Sequence, residues 1–458
     1  MKGGLSPSQR NRPAFFTERI LNGAKFFSIL NVSVYILEKG ESVRMMNGTE
    51  LRAKVAAIID NTPLVDIHTH LFPPSFGNMM LRGIDELLTY HYLVAETLRY
   101  RPEKTEEFWR LPLTAQADLV WETLFLERSP VSEACRGVLT TLKLLGLDTS
   151  TRALAEYREF FAGLTPEEHV DLVCQKAGVK AVVMTNDPFD PEESRYWQEN
   201  YPVDRRFLAA LRLDVLLNKW PEAAASLQSA GYEVDLAMTG RTFAEVRRFL
   251  EEWAKRMNPL YLAVSLPPAF AFPEESPRGQ LLEKAILPFC RESGLPLALM
   301  IGVKKLVNPA LRLAGDSVGR SRIETVENLC AAYPENKFLV TFLSRENQHE
   351  LCVAARKFGN LMPFGCWWFL NTPGLIRELT GMRLELLGLS FIPQHSDARV
   401  LDQLVYKWDH SRKEIARVLT EKYEDLAATG WQITEEAIRK DVEGLFFRNF
   451  QEFLGISL

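Results

Sequence analysis

Eight short apolar runs set the limits on what this chain can fold into. They cover residues 64–68, 181–185, 207–213, 261–266, 296–302, 338–343, 361–367 and 389–393. Segments with apolar residues every three or four positions separate most of them, at 222–229, 242–257, 279–293, 321–333, 346–358 and 373–387. A strand that is apolar on both faces must be covered on both, and helices between successive strands make those strands parallel. Eight such units predict an α/β fold, a (β/α)8 TIM barrel. An open doubly wound sheet is the alternative, but no glycine-rich phosphate loop follows any run.

Between the first and second runs the pattern departs from a simple crossover. Segments 80–99, 115–126, 133–144, 153–161 and 167–177 all have helical periodicity. We therefore expect a large helical insertion over about residues 75–178. Two further helices, 402–423 and 435–453, follow the last strand. The barrel domain is expected to span residues 46–458, opening on the N-cap signal Asn47-Gly48-Thr49-Glu50 ahead of a helix over 51–59. Residues 1–45 read as an atypical N-terminal extension, or as the product of an upstream start codon. Their apolar stretch at 26–37 lies too tightly between Lys25 and Glu38 to span a membrane. It also lacks the small-residue cleavage site of a signal peptide.

The 458 residues carry 54 Lys and Arg against 59 Asp and Glu, a net charge of −5. That balance gives no electrostatic basis for binding nucleic acid or an anionic membrane, so a small molecule is the expected partner. The six cysteines (Cys135, Cys174, Cys290, Cys330, Cys352 and Cys366) are scattered, with no C-x-x-C pair. They read as reduced thiols of a cytoplasmic protein.

In barrels of this type the chemistry gathers at the C-terminal ends of the strands. The first strand ends in His68-Thr69-His70, and Pro73-Pro74 stops it immediately afterwards. Residues two apart on a strand point the same way, so both imidazoles can address one point, which is half of a zinc-type site. The third strand ends in Arg212-Leu213-Asp214, the fifth in Met300-Ile301-Gly302 and the seventh in Trp367-Trp368. The eighth runs into His395-Ser396-Asp397-Ala398-Arg399. His395 and His410 are expected to be structural or solvent-facing, and His349 and His169 to lie on the surface. Asp397 can also be read as a cap on a helix starting at Ala398.

An H-x-H on strand one with an Asp after strand eight resembles the metal site of the amidohydrolase superfamily. Binuclear hydrolases of that superfamily add a lysine on strand four and histidines on strands five and six. Here strand four offers Ser265 and strand five Met300. What remains resembles the uronate isomerase branch. Asp66-Ile67-His68-Thr69-His70-Leu71 is similar to its D-x-H-x-H-L opening. His91-Tyr92, with Leu98-Arg99 behind, resembles a helical D-H-Y-x-W-x-x-M-R block in which Tyr90 and Val94 replace the Asp and Trp. Arg212-Leu213-Asp214 resembles the family's R-P-D. Trp367-Trp368-Phe369 resembles its W-W-F, and Asp397-Ala398-Arg399 its D-S-R. Met300-Ile301-Gly302-Val303-Lys304-Lys305 aligns with H-x-G-x-x-R, so Met300 replaces a histidine and Lys305 an arginine.

The resemblance implies an aldose–ketose isomerase acting on a uronate: glucuronate to fructuronate, or galacturonate to tagaturonate. It implies one divalent metal on His68, His70 and Asp397, with zinc favoured and manganese, iron or nickel as alternatives. His91, Asp397 and Arg399 are the implied catalytic residues. Tyr92, Arg212, Asp214, Met300, Lys305, Trp367 and Trp368 are the implied substrate contacts. A sugar-acid substrate and a homo-oligomer are expected. The competing readings are a metal-dependent hydrolase or lyase of the same superfamily, and a non-catalytic sugar-acid binder. Methionine donates no hydrogen bond and lysine lacks the planar fork of arginine, so Met300 and Lys305 mark where this chain departs from its family.

Overall fold

The computed structural model describes residues 48–457 in full. Ahead of them it describes the backbone of three antiparallel strands, Lys25–Ile29, Val32–Ile36 and Ser42–Arg44. The rest of residues 1–45, on which the expectation of an extension falls, lies outside the described residues.

Seven strands form one parallel sheet: β1 (Leu64–Thr69), β2 (Val179–Asn186), β3 (Phe207–Arg212), β4 (Leu262–Leu266), β5 (Leu297–Ile301), β6 (Phe338–Phe342) and β7 (Leu361–Pro363). They pair in sequence order. Side chains alternate across each strand as the pleat requires. In β5, Ala298 and Met300 fill the barrel with Val65, Ile67 and Phe364, whereas Leu297, Leu299 and Ile301 pack outward under the helices.

The eighth expected strand is reduced to a single bridge between Ile392 and Phe364. Pro393 follows at once, and a residue without an N–H cannot extend a ladder. Two kinds of contact complete the closure. Asp397 N donates to His68 O at 3.1 Å, and His70 N donates to Ala398 O at 2.7 Å, joining the segment after Ile392 back to β1. Arg383 replaces the missing ladder on the other side. It lies on the helix Pro373–Leu387, is fully buried, and donates to Gly365 O (2.8 Å), Pro393 O (3.3 Å) and Gln348 Oε1 (3.1 Å).

A run of helices with its own apolar core separates β1 from β2. That core includes Leu93, Val94, Phe108, Trp121 and Val138, and it takes in Val400 and Tyr406 from beyond the last strand. The helix expected over 80–99 is broken into Ile84–Leu88 and His91–Tyr100. Thr89 turns its hydroxyl back to Asp85 O at 2.8 Å, and Tyr90 is extended. The break places His91 at the first position of a new helix rather than in mid-turn.

His169 is not on the surface as expected. It is fully buried, with Nε2 2.7 Å from Asp402 Oδ1, and Gly83 N donates to Asp402 Oδ2 at 2.7 Å. One carboxylate thus fastens two points of the helical insertion to the head of the long helix Gln403–Ala428.

Candidate active site

His68 and His70 leave β1 side by side, as i, i+2 residues of a strand must. His68 Nε2 lies 3.6 Å from Asp397 Oδ1 and His70 Nε2 lies 3.3 Å from it. Ligand atoms about 2.0–2.1 Å from a tetrahedral zinc are separated by roughly 3.4 Å, so this spacing fits a shared ion. Asp397 Oδ1 is buried and has no hydrogen-bond partner in the protein. Burial keeps both imidazoles neutral: the pKa of His68 falls to about 3, and that of His70 well below its usual value. Neutral imidazole is the form that binds a metal.

The far nitrogen of each ring is held in a way that fixes the tautomer. Thr185 Oγ1, at the end of β2, donates to Thr69 O (2.9 Å) and therefore accepts from His70 Nδ1 (2.8 Å). Tyr261 OH donates to Ile67 O (2.6 Å) and faces His68 Nδ1 at 3.4 Å. With Nδ1 carrying the proton, each Nε2 lone pair is free to meet an ion. Asp66 supports the third ligand. Its carboxylate accepts from Ser396 N (3.0 Å) and Trp408 Nε1 (2.8 Å), which fixes the segment just before Asp397. Asp397 itself has φ +53°, a left-handed conformation that Asp tolerates better than most residues.

Above this group stand the insertion and the loops after β5 and β7. His91 and Tyr92 pack edge to face at 4.6 Å between ring centroids, and Trp368 lies 5.6 Å from His91. Phe369 stacks on Trp368 at 4.8 Å. His91 Nε2, Tyr92 OH and Trp368 Nε1 are all buried without partners, a grouping expected where a polar ligand binds. Trp367 instead packs into the barrel core. Burial and the Arg399 guanidinium hold His91 well below its usual pKa, and burial pushes Tyr92 well above its own.

Among solved structures, the chain is similar to a uronate isomerase from Bacillus halodurans C-125. Identity is 56%, the TM-score is 0.89, and the match covers 90% of this chain and 98% of that one. The chain belongs to the uronate isomerase family. A uronate isomerase from Thermotoga maritima shares the fold at 16% identity and a TM-score of 0.72, covering 90% of this chain and 98% of that one. A glucuronate isomerase from Caulobacter crescentus does so at 13% and 0.62, covering 89% and 94%. No family model and no curated protein matches the chain.

Several expected uronate isomerase positions take on definite surroundings. Arg212 forms a two-pronged pair with Asp214, Nε to Oδ2 at 2.8 Å and Nη2 to Oδ1 at 3.3 Å. Met300 is buried among the side chains that fill the barrel, so apolar packing occupies the position of the family's histidine. Lys305 pairs with Asp316 at 2.7 Å and stands 5.7 Å from the Trp368 ring centroid. Arg399 precedes the last long helix by four residues rather than starting it, and Asp397 caps no helix there, since that helix opens at Gln403. His395 is fully buried, its ring 5.0 Å from that of His68. Gly365 makes room for it: φ there is +67°, and a Cβ would fall 1.9 Å from His395 Cδ2. His349 is exposed, as expected. Thr185 and Tyr261 stand beside the two histidines without a signal in the sequence, because each meets its partner across more than a hundred residues.

Proposed function

We propose that this protein is an aldose–ketose isomerase of uronates, interconverting glucuronate with fructuronate or galacturonate with tagaturonate. The observation that carries the proposal is the 56% identity, over 90% of this chain, to a protein described as a uronate isomerase. The reaction moves a hydrogen between C2 and C1 through an enediol-like state, while the carbonyl moves the other way.

His68, His70 and Asp397 would hold one divalent ion, zinc by preference with manganese, iron or nickel as alternatives, which would supply polarisation of the C1 and C2 oxygens. The chain's own residues do the rest. His91 is uncharged at neutral pH and can accept a proton. Tyr92 keeps its phenolic hydrogen and can donate to a sugar oxygen. The pair therefore handles the proton between C2 and C1. Arg212 and Arg399 bring planar cationic forks to the carboxylate and hydroxyls of an open-chain uronate. Lys305 adds a point charge beside the Trp368 ring, whose unpaired Nε1 can donate to a sugar oxygen. The six cysteines are free and buried, which supports a reducing compartment, and we infer the cytoplasm.

Incubation of the metal-loaded protein with glucuronate and with galacturonate in deuterated water, followed by NMR, tests this reading. Ketose formation with deuterium entering at C1 or C2 is the expected result. Neither product nor exchange with either sugar would sink the proposal.

A further inference from the structure

Lys407 lies one turn into the helix Gln403–Ala428 and is 1% exposed. Its Nζ has no hydrogen-bond partner. It sits 5.6 Å from the centroid of the Tyr92 ring and 5.8 Å from that of Tyr406. An ammonium buried without a partner is costly, and sequences rarely keep one unless its charge is used. We propose that Lys407 is a positioning residue whose ammonium, set against the Tyr92 ring, governs the protonation of the His91–Tyr92 pair. The inference rests on the uronate isomerase reading given above.

Other charges face the same pair. Arg399, Lys305 and His70 bear on His91, and Tyr90, Asp397, Glu133 and Tyr406 bear on Tyr92. Burial lowers the pKa of Lys407 itself, the carboxylates of Glu133, Asp397 and Asp66 work against that and favour the ammonium, and His395 and His410 also lie within its field. These charges are not equivalent once the site is filled. Lys305 is already paired with Asp316. Arg399 would face the substrate's own anionic groups, and Asp397 would hold the metal. Lys407 stands against the Tyr92 ring, is buried and has no hydrogen-bonded partner, so its field is not cancelled in the same way.

The sign is the same for both members of the pair. A nearby cation opposes protonation of an imidazole and favours ionisation of a phenol, lowering both pKa values. Removing it raises the pKa of the catalytic base, whichever of the two that is. At the separations seen here, an effective dielectric constant near 20 gives a shift of about one pH unit or more.

The test uses the metal-loaded full-length enzyme and its Lys407→Met and Lys407→Arg variants. Methionine keeps the length and removes the charge, and losing an unpartnered buried cation is not expected to lower the melting temperature. For K407M, the acid limb of kcat/KM against pH is expected to move up by about one unit, with roughly a tenfold loss on the acid side. K407R is expected to keep the limb where the wild type has it. Histidine NMR, assigned through His91→Gln, reads the His91 titration without any turnover, and K407M is expected to raise it. Movement of either the limb or the His91 titration supports the proposal. It is overturned if both stay put, or if K407M merely melts earlier with an unmoved profile. Should K407M fail to fold, Lys407→Gln is read by the same criteria. If the wild type turns over neither uronate, the functional reading fails, and the NMR titration alone decides the role of Lys407.

Discussion

Replacing His68 with alanine is expected to strip the protein of its metal and of its turnover together. Changing a group that merely orients a ligand typically costs ten- to a hundredfold in affinity, so removing one of three ligands is expected to cost more than about a hundredfold. Elemental analysis after gel filtration reads the metal, and ketose formation reads the activity. The comparison that isolates the cause is Thr185→Val. That change leaves all three ligand residues in place and removes only the oxygen that receives the His70 Nδ1 hydrogen. It is expected to weaken metal retention by roughly ten- to a hundredfold, with activity recovered in excess metal. If His68→Ala retained its metal in full, the assignment of this group as the metal site would be wrong.

The second large effect is expected at His169, far from any reacting atom. His169→Ala removes one side of a fully buried contact and leaves the Asp402 carboxylate with Gly83 N as its remaining direct donor at that end. Leaving a buried acceptor short of one hydrogen-bond partner costs about 1–3 kcal/mol, and urea unfolding is the measurement that checks it. Activity is expected to fall as well, through geometry. Asp402 ties the insertion, which carries His91 and Tyr92, to the helix that carries Lys407, and Arg399 lies three residues upstream. Unchanged stability would mean that the clasp contributes nothing to the fold.

These two histidines also show which parts of the site were legible in the sequence. His68 and His70 could be read together because a strand's two-residue period puts them on one face within three positions. Asp397 followed from counting apolar runs to the last one, since barrel ligands lie beyond strand ends. The outer limits of helices such as Glu133–Leu144 and Thr242–Met257 also followed directly from their three- and four-residue spacing. His169 was misjudged because its neighbours Pro166, Glu167 and Glu168 form a polar helix start, and its partner is 233 residues away. Lys407 was invisible for the same reason. A lysine on a long charged helix looks solvated until the insertion is folded over it. Arg212 was read as a substrate contact. The structure has the ion pair, and a carboxylate ligand has to share that guanidinium with it.

A barrel closed at one place by a single bridge has a weakest wall, and in this molecule that wall leads straight to Asp397. Opening it breaks the few bonds around Ile392 and Gly365 and the grip of Arg383, and leaves the ladders from β1 to β7 intact. Asp397 itself stays tied to β1 through its own N–H to His68 O and through Ser396 N to Asp66, so the seam can loosen beside the third candidate ligand without moving it off the strand that carries the first two. The amides of Gly365 and Ile392 are accordingly expected to exchange with solvent faster than those of β4 or β5, and to slow once the ion is bound.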